Sequence, residues 1–215
     1  MEKSLLLLFV TFFCFLVSCN GIETPQFTVV HSESDFEVRF YRESSWMSAP
    51  TREISFQKAT KDGFHRLFQY IQGANLNSSR LRMTTPVLTS IVPGAGPLGS
   101  SAYFVQFYLP AKFQAVPPLP LPELNLQPDA WDGHCIAVRK FSGFVRDSNV
   151  VEEAEKLALS LSRSPWADST SADDKYAYSI AQYNHFRVTE RKNEVWVKVH
   201  GSELSGCRSS GVATH

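Results

Sequence analysis

The sequence lacks an excess of charge of either sign. Its 215 residues contain 21 Lys+Arg and 21 Asp+Glu, so the formal net charge is zero. Proteins that hold nucleic acid through phosphate contacts, and proteins that attach to anionic membranes through basic clusters, need a positive excess. We therefore expect no nucleic-acid partner. Hydrophobic residues make up 43% and charged residues 20%, which is ordinary for a globular chain and argues against extensive disorder.

The strong signatures of catalysis and metal binding are also absent. There is no Gly-x-Ser-x-Gly elbow, P-loop, His-Glu-x-x-His pair or Cys-x-x-Cys pair. A Cys-x-x-Cys-His site is missing too, which excludes covalently attached c-type haem. No two of the six histidines have metal-ligand spacing on one predicted element. We therefore predict no catalytic residues, no metal site and no enzymatic activity.

No apolar run is long enough to span a bilayer. The run from Leu5 to Val17 follows Glu2-Lys3 and has the length of a signal-peptide core. We predict that residues 1–21 are a signal peptide, that the mature chain has no transmembrane span, and that it is secreted or lies in the endomembrane system. The sequence Leu16-Val17-Ser18-Cys19 leaves open a bacterial lipoprotein cleavage site.

Cysteine is scarce once the leader is removed. Cys135 and Cys207 are left, which is enough for one disulfide, but two free thiols fit the sequence equally well. Asn77-Ser78-Ser79 is a sequon for N-glycosylation in a predicted loop. It matters only if the chain enters the secretory pathway.

The apolar pattern predicts the order strand, helix, strand, strand twice. The first helix begins after Ser55 and ends at Gly73, because apolar residues recur every three or four positions between them. The second runs from about Val150 to Ser162, with Asn149 and Glu152 as a capping pair. The predicted strands are Phe27–Val30, Phe36–Tyr41, Leu81–Val92, Tyr103–Leu109, His134–Val145, Tyr176–Tyr183 and Glu194–Val199.

We interpret this order as an internal duplication. Val38-Arg39-Phe40-Tyr41 is echoed by Val138-Arg139-Lys140-Phe141. The two pseudo-repeats would cover about residues 27–113 and 131–200 of one domain, residues 22–200. Residues 201–215 have little apolar content and are predicted to be a mobile tail.

A proline-rich segment, Val116–Pro122, connects the two halves. Proline cannot donate to a ladder or continue a helix, so we expect an extended polyproline segment. Its Pro-x-x-Pro match could dock in an SH3-like groove. A stiff strap between the repeats is the better interpretation.

The segment Arg80-Leu81-Arg82-Met83-Thr84-Thr85-Pro86-Val87 has unusual chemistry. Two cations and a polarizable thioether beside a β-branched strand suit a planar apolar ligand with carboxylate edges. The alternative is an edge strand with two solubilising arginines and one buried methionine. The spacing alone favours that alternative.

Taken together, the chain resembles the SOUL haem-binding protein family, and most of all its plant branch. The matching stretches extend over almost all of residues 23–200. They are Phe36–Tyr41, Phe64–Asn75, Met83-Thr84-Thr85-Pro86-Val87, Pro117-Pro118-Leu119-Pro120 and Arg191-Lys192-Asn193-Glu194-Val195-Trp196.

The resemblance implies an α+β fold, a distorted antiparallel β-barrel flanked by two helices and built from the duplicated unit. It also implies noncovalent binding of haem or another tetrapyrrole against the first helix and the following loop. Met83 matches the family's Met-Thr-x-Pro-Val motif, and Arg187 occupies the place where relatives carry a basic residue near the propionates. Bacterial proteins of this fold include drug-sensing and small hydrolytic modules.

Our leading hypothesis is a reversible tetrapyrrole carrier or buffer. The repeats are expected to close around an apolar slot that is wide enough for a flat macrocycle. The predicted ligand-binding residues are Phe64, Leu67, Phe68, Ile71 and Met83 for the macrocycle, and Arg80, Arg82 and Arg187 for the propionates. Two alternatives are a small hydrolase or ligand sensor with Glu194 as general base, and a protein-interaction module with vestigial ligand binding. If Glu194 is structural, we expect it to cap the turn into the last strand.

Overall fold

The computed structural model describes residues 21–92, 102–171, 174–183, 191–200 and 207. The predicted signal peptide, and the predicted tail apart from Cys207, lie outside these residues. Two one-turn 3-10 helices occur at Ala111–Phe113 and Pro122–Leu124. The strands and helices are β1 (Phe27–Ser32), β2 (Glu37–Tyr41), β3 (Ser44–Thr51), α1 (Phe56–Ile71), β4 (Val87–Ile91), β5 (Tyr103–Tyr108), β6 (Gln127–Trp131), β7 (His134–Ser142), α2 (Asp147–Ser162), β8 (Tyr178–Gln182) and β9 (Lys192–Val199).

The nine strands form one antiparallel sheet in the order β1-β2-β7-β9-β8-β4-β5-β3-β6. The sheet curls into a half-barrel, and the two helices pack on it. The predicted α+β class and the barrel with two flanking helices are therefore confirmed. The order strand, helix, strand, strand occurs as β2/β3-α1-β4-β5 and again as β7-α2-β8-β9. The boundaries of the pseudo-repeats stay a prediction.

Two strands, β3 and β6, have no counterpart in the sequence-based prediction. β3 contains serines and Pro50 in place of a β-branched run, and β6 contains Pro128 and Asp129. β6 is at the end of the strand order and pairs only with β3, where Pro128 lies opposite Met47. Proline is tolerated at such an edge, because it leaves no ladder hydrogen bond unmade there.

α1 packs on the part of the sheet formed by β3 and β5. The hydroxyl of Ser55 accepts a hydrogen bond from the Lys58 amide, and Gly73 ends the helix at a φ of +113°, as the sequence predicts. Gly63 faces β5. A Cβ at that position would lie 2.4 Å from Val105 Cγ2, so glycine is what allows the helix to approach the sheet so closely.

α2 begins at Asp147, three residues before the predicted start. The predicted capping pair is wrong, because Asn149 does not pair with Glu152. Its side-chain oxygen accepts a hydrogen bond from the backbone of Arg146 at 2.8 Å. The Asp147 carboxylate, at the first residue of α2, accepts a hydrogen bond from the Phe56 amide at the first residue of α1. It therefore connects the N-termini of the two helices, and its negative charge interacts favourably with the positive end of the α1 dipole.

Aromatic rings and the buried Arg39–Glu194 ion pair lie on the side of the sheet that forms the interior of the half-barrel. Tyr41 and Trp196 pack with ring centroids 4.9 Å apart, and Trp46 stacks on Trp131 at 4.7 Å. These rings take up part of the interior, and the expected slot for a macrocycle between the repeats stays a prediction. The interior opens into a cavity of about 500 Å³, which we call the mouth cavity. Its lining includes Asp129, Trp131, His134, Asp174, Lys175, Lys198, His200 and Cys207.

The similar sequences of β2 and β7 do not occupy equivalent positions in the structure. The two strands pair side by side, with Val38 opposite Ala137 and Arg39 opposite Ile136. Val38 packs with the cluster beneath α2, whereas Val138 packs in the interior. Equivalent positions of a structural repeat would face the same side of the sheet.

A disulfide and the proline strap tie loops to this sheet. Cys135 on β7 and Cys207 form a disulfide with a Cα–Cα distance of 5.6 Å, which resolves the choice that the sequence left open. In the strap, Pro118 is buried and its carbonyl accepts a hydrogen bond from the Tyr70 hydroxyl at 2.8 Å. These contacts favour a strap over a free SH3 ligand. Neither helix in the described part of the chain is long and apolar enough to cross a membrane.

Candidate ligand-binding site

The apolar stripe of α1 divides between the core and the surface. Leu67 has no exposed side-chain area and Ile71 only 3%, and both pack against β3 and β5 residues in the core. The prediction that these two side chains form the ligand face needs this correction, since the sheet already covers them. Phe68 is 38% exposed. It stacks nearly parallel on half-buried Phe64, with centroids 5.8 Å apart.

The predicted segment after α1 is mainly a structural connection. Met83 is half-buried against the α1 core. The Thr84 hydroxyl donates to the Tyr108 carbonyl at 2.6 Å, and the Thr85 hydroxyl donates to the Tyr183 carbonyl at 3.1 Å. These bonds hold the segment between the ends of β5 and β8.

Of the three predicted cations, the structure describes Arg80 and Arg82. Arg80 is exposed, and its side-chain stem lies close to Gly73 at the C-terminal end of α1. Arg82 is exposed as well. Arg187 lies outside the described residues, so its predicted role near the propionates stays a prediction.

A groove of about 300 Å³ lies between α1 and the residues that flank the β8–β9 connection. We call it the α1 groove. It is lined by Phe56, Gln57, Thr60, Lys61, Phe64, Val145, Gln182 and Arg191. Phe64 therefore belongs both to the ring pair with Phe68 and to the groove wall.

Two buried polar atoms in the α1 groove lack partners among the described residues. They are the donor Nε of Arg191 and the acceptor Oε1 of Gln182. The Nε atoms of Arg66 and Arg139 also lack a hydrogen bond, but the terminal nitrogens of these arginines donate to the carbonyls of Pro50 and Asp35. An unpaired buried polar atom costs free energy, and a ligand carboxylate or water can supply the missing partner.

The Arg191 guanidinium is held by stacking. Its central carbon lies 4.0 Å from the centroid of the Phe144 ring. Such a contact fixes the planar group and leaves its N–H donors available for a carboxylate. Lys61 adds a second, exposed cation at the same groove.

The larger mouth cavity is less suited to a charged ligand, because its ionic groups already pair with one another. Lys175 lies 3.1 Å from Asp129, while Lys198 and His200 lie 3.3 and 3.1 Å from Asp174. Burial lowers the pKa of His134, although its hydrogen bond to the Asp132 carbonyl opposes the shift. No group of three or more His, Cys, Asp or Glu side chains in the described segments could hold a metal ion.

Glu194, the candidate general base, is occupied by four hydrogen bonds. Arg39 donates two, at 3.0 and 3.1 Å, the Tyr183 hydroxyl donates one at 2.7 Å, and the Trp196 indole donates one at 2.8 Å. Burial and the Glu194 charge raise the pKa of Tyr183, which keeps its hydroxyl protonated. Glu194 lies inside β9 opposite Lys140 and Ala181, so the predicted cap at a turn is wrong.

A family model described as "SOUL heme-binding protein" matches residues 22–198. The chain belongs to the SOUL family. The human protein named "Heme-binding protein 2" is 29% identical over 184 residues, which cover 84% of this chain and 87% of that protein. "Heme-binding protein 1" of Xenopus laevis is 27% identical over 181 residues, which cover 82% and 92%.

A solved structure agrees with the fold of this SOUL chain. The EcmrR C-terminal domain superposes with a TM-score of 0.50 at 11% identity, covering 78% of this chain and 98% of that one. At this identity the likeness concerns the fold alone.

Sequence reasoning missed Gln182, Lys61 and Arg191 as groove residues. Arg191 opens the Arg191–Trp196 stretch by which the SOUL family was recognised, so a signal for it was present. No signal indicated Gln182, because only the pairing of β8 with β4 and β9 brings it beside α1.

Proposed function

We propose that this SOUL protein binds haem or another tetrapyrrole reversibly at the α1 groove and acts as a carrier or buffer, not as an enzyme. The observation that carries the proposal is the buried Arg191 Nε, which has no hydrogen-bond partner among the described residues, in a groove whose wall includes Phe64 with Phe68 stacked on it. A cation for a carboxylate edge and an apolar surface for a flat ring thus lie at one place. Family membership and the names of the relatives support the choice of ligand.

The dimensions favour an open mode of binding. The groove volume of about 300 Å³ is at the lower end of the range for small-molecule sites, about 300–1,000 Å³. A macrocycle would therefore lie across the groove and over Phe68, with one propionate at Arg191 and with Lys61, Arg80, Arg82 or Arg187 near the other. His65 of α1 is exposed and is not among the residues that line the α1 groove, so the contacts we propose are those to the ring and its carboxylates.

Titration with haemin and with protoporphyrin IX tests this proposal. We expect micromolar binding of both with similar affinity, because the contacts involve the ring and the propionates and not the iron. Arg191→Ala should weaken both by roughly tenfold, on the order of 1.4 kcal/mol, because a charge-assisted contact is lost. Phe68→Ala should also weaken both. The Soret band and quenching of tryptophan fluorescence report binding.

Arg146→Ala is the matched control for Arg191. The Arg146 guanidinium also approaches the Phe144 ring, at 5.9 Å, but it does not line the groove. It should leave both affinities unchanged. Binding that is absent at micromolar ligand would remove the carrier function, and equal losses in both variants would remove the groove as its site.

We further propose that the protein follows the secretory route and belongs to the plant branch of the family. The leader-like run Leu5–Val17 supports the route, and so does the disulfide Cys135–Cys207, because structural disulfides persist mainly in oxidising compartments. Expression of the full chain in plant cells, followed by N-terminal sequencing of the mature protein, tests the route. A chain that starts at Met1 in the cytosol would contradict it.

The hydrolase alternative is not favoured. A general base needs a lone pair that can take a proton from water, and the Glu194 oxygens already accept four hydrogen bonds. The protein-interaction alternative is not favoured either, because the strap that carries the Pro-x-x-Pro sequence is packed against Tyr70.

A further inference from the structure

The sequon lies at the tip of a firmly anchored turn after α1. Asn75 is buried, and its side chain donates to the carbonyls of Tyr70 and Ser79 and accepts from the Ser79 amide. The Ser78 amide donates to the Asn75 carbonyl at 2.9 Å. This base holds the turn, and Asn77 at its tip is exposed. It is part of the only Asn-x-Ser/Thr sequence in the 215 residues.

An exposed apolar surface adjoins Asn77. Leu76 is 61% exposed and Leu119 58%, and the Leu76 amide donates to the Leu119 carbonyl at 2.9 Å. Val116, three residues before Leu119 in the same strap, is 80% exposed. Exposed apolar side chains that lie together on the surface of a secreted protein promote association unless something covers them.

We infer that Asn77 carries an N-linked glycan, and that this glycan covers the apolar surface formed by Leu76, Val116 and Leu119. The inference rests on the proposed secretory route. The Asn77 Nδ2 would attack C1 of the sugar in a lipid diphosphate-linked oligosaccharide. The N–C1 bond forms, the C1–O bond to the diphosphate breaks, the amide loses one proton, and the lipid diphosphate leaves. A bulky, solvated sugar is compatible with an exposed turn and with no buried position.

The position of the glycan also separates it from the α1 groove. Asn77 follows the C-terminal end of α1, whereas Phe56 and Thr60 of the groove belong to its first two turns. Phe68 and Arg80 of the proposed ligand surface lie nearer to Asn77, so haemin binding is compared between the wild type and Asn77→Gln, which carries no glycan. This comparison lets the two proposals be tested separately.

The test expresses the full chain, with its own N-terminus, in a eukaryotic cell and compares gel mobility before and after peptide N-glycosidase. We expect the secreted protein to shift on treatment, with Asn77 converted to Asp in its mass spectrum. Asn77→Gln and Ser79→Ala should abolish the shift. Ser78→Gly is the matched control, because it keeps the sequon and suits the φ of +50° at that position. A shift that survives Asn77→Gln would overturn the assignment.

A second leader separates this inference from the secretory route. Residues 1–21 are replaced by an established endoplasmic-reticulum signal. A shift with the new leader but not with the native one would support the site and contradict the route. No shift with either leader would overturn the inference.

Light scattering tests the covering role: Asn77→Gln should associate at lower concentration, and adding Leu76→Ser and Leu119→Ser should reverse this. Equal solubility of Asn77→Gln and the wild type would overturn the covering role.

Discussion

Four donors converge on the buried carboxylate of Glu194, and Arg39 links it to β2, which is separated from β9 by β7. Arg39 has 4% side-chain exposure and also contacts Glu37 at 2.8 Å. Burial opposes the charged form of Arg39, but the Glu194 carboxylate outweighs it and raises the pKa of Arg39. Hydrogen bonds from Lys140 and Arg39 likewise outweigh burial and lower the pKa of Glu37. The charged groups of this network therefore stabilise one another's ionised forms, and we assign Glu194 a structural role.

Replacing Glu194 by Gln should lower the free energy of unfolding by about 3 kcal/mol, because it leaves the Arg39 charge buried with too little compensation. Urea unfolding at pH 7 measures the change. Glu152→Gln is the control, since this glutamate is 62% exposed in a surface pair with Lys156 and should change stability by less than about 0.5 kcal/mol. Equal effects of the two substitutions would show that the network contributes no more than a surface ion pair.

At the scale of elements, the sequence predicted where the helices lie in the chain. It did not predict which of their apolar side chains face the core and which face the surface. The spacing of apolar residues located α1 and its ends, because a buried helix face repeats every 3.6 residues. The same spacing could not separate Leu67, which is in the core, from Phe68, which is at the surface, because both core and ligand faces are apolar. Their difference depends on how α1 lies on β3 and β5.

Gly63→Ala tests that close approach of α1 to the sheet. Alanine favours an isolated helix by roughly 1 kcal/mol over glycine, but its Cβ would meet Val105. We expect a net loss of about 1–3 kcal/mol in urea unfolding, because overpacking moves the helix or the strand. Gln69→Ala, at an exposed α1 position, should stay within about 0.5 kcal/mol of the wild type. A more stable Gly63→Ala variant would mean that the contact relaxes freely.

On the scale of the whole molecule, two clusters on the helix-covered face and one in the interior share a single sheet. The disulfide adds a covalent connection between β7 and Cys207 across 72 residues of sequence. That closed loop contains α2, β8 and β9, with Gln182 at the end of β8 and Arg191 directly before β9. Stability of the second half of the chain and the geometry of the site are thus coupled.

The double substitution Cys135→Ser and Cys207→Ser should lower the free energy of unfolding by about 4 kcal/mol, because a 72-residue loop is no longer closed in the unfolded chain. Urea unfolding with and without a thiol reductant measures it. Reductant should destabilise the wild type by a similar amount and leave the double variant unchanged. A wild type that is insensitive to reductant would contradict the disulfide.

The sequence by itself determined the order of both helices and of seven of the nine strands, the strap and membership of the SOUL family, because these depend on local periodicity, on proline and glycine, and on short motifs. Only the tertiary structure decided the pairing of β2 with β7, the places of β3 and β6, the disulfide, and the meeting of Arg191, Gln182 and Phe64 at one groove. Strand register and side-chain facing arise from contacts between distant residues. A shift of one residue reverses the face of every side chain in a strand, and no local pattern records which face a partner will cover.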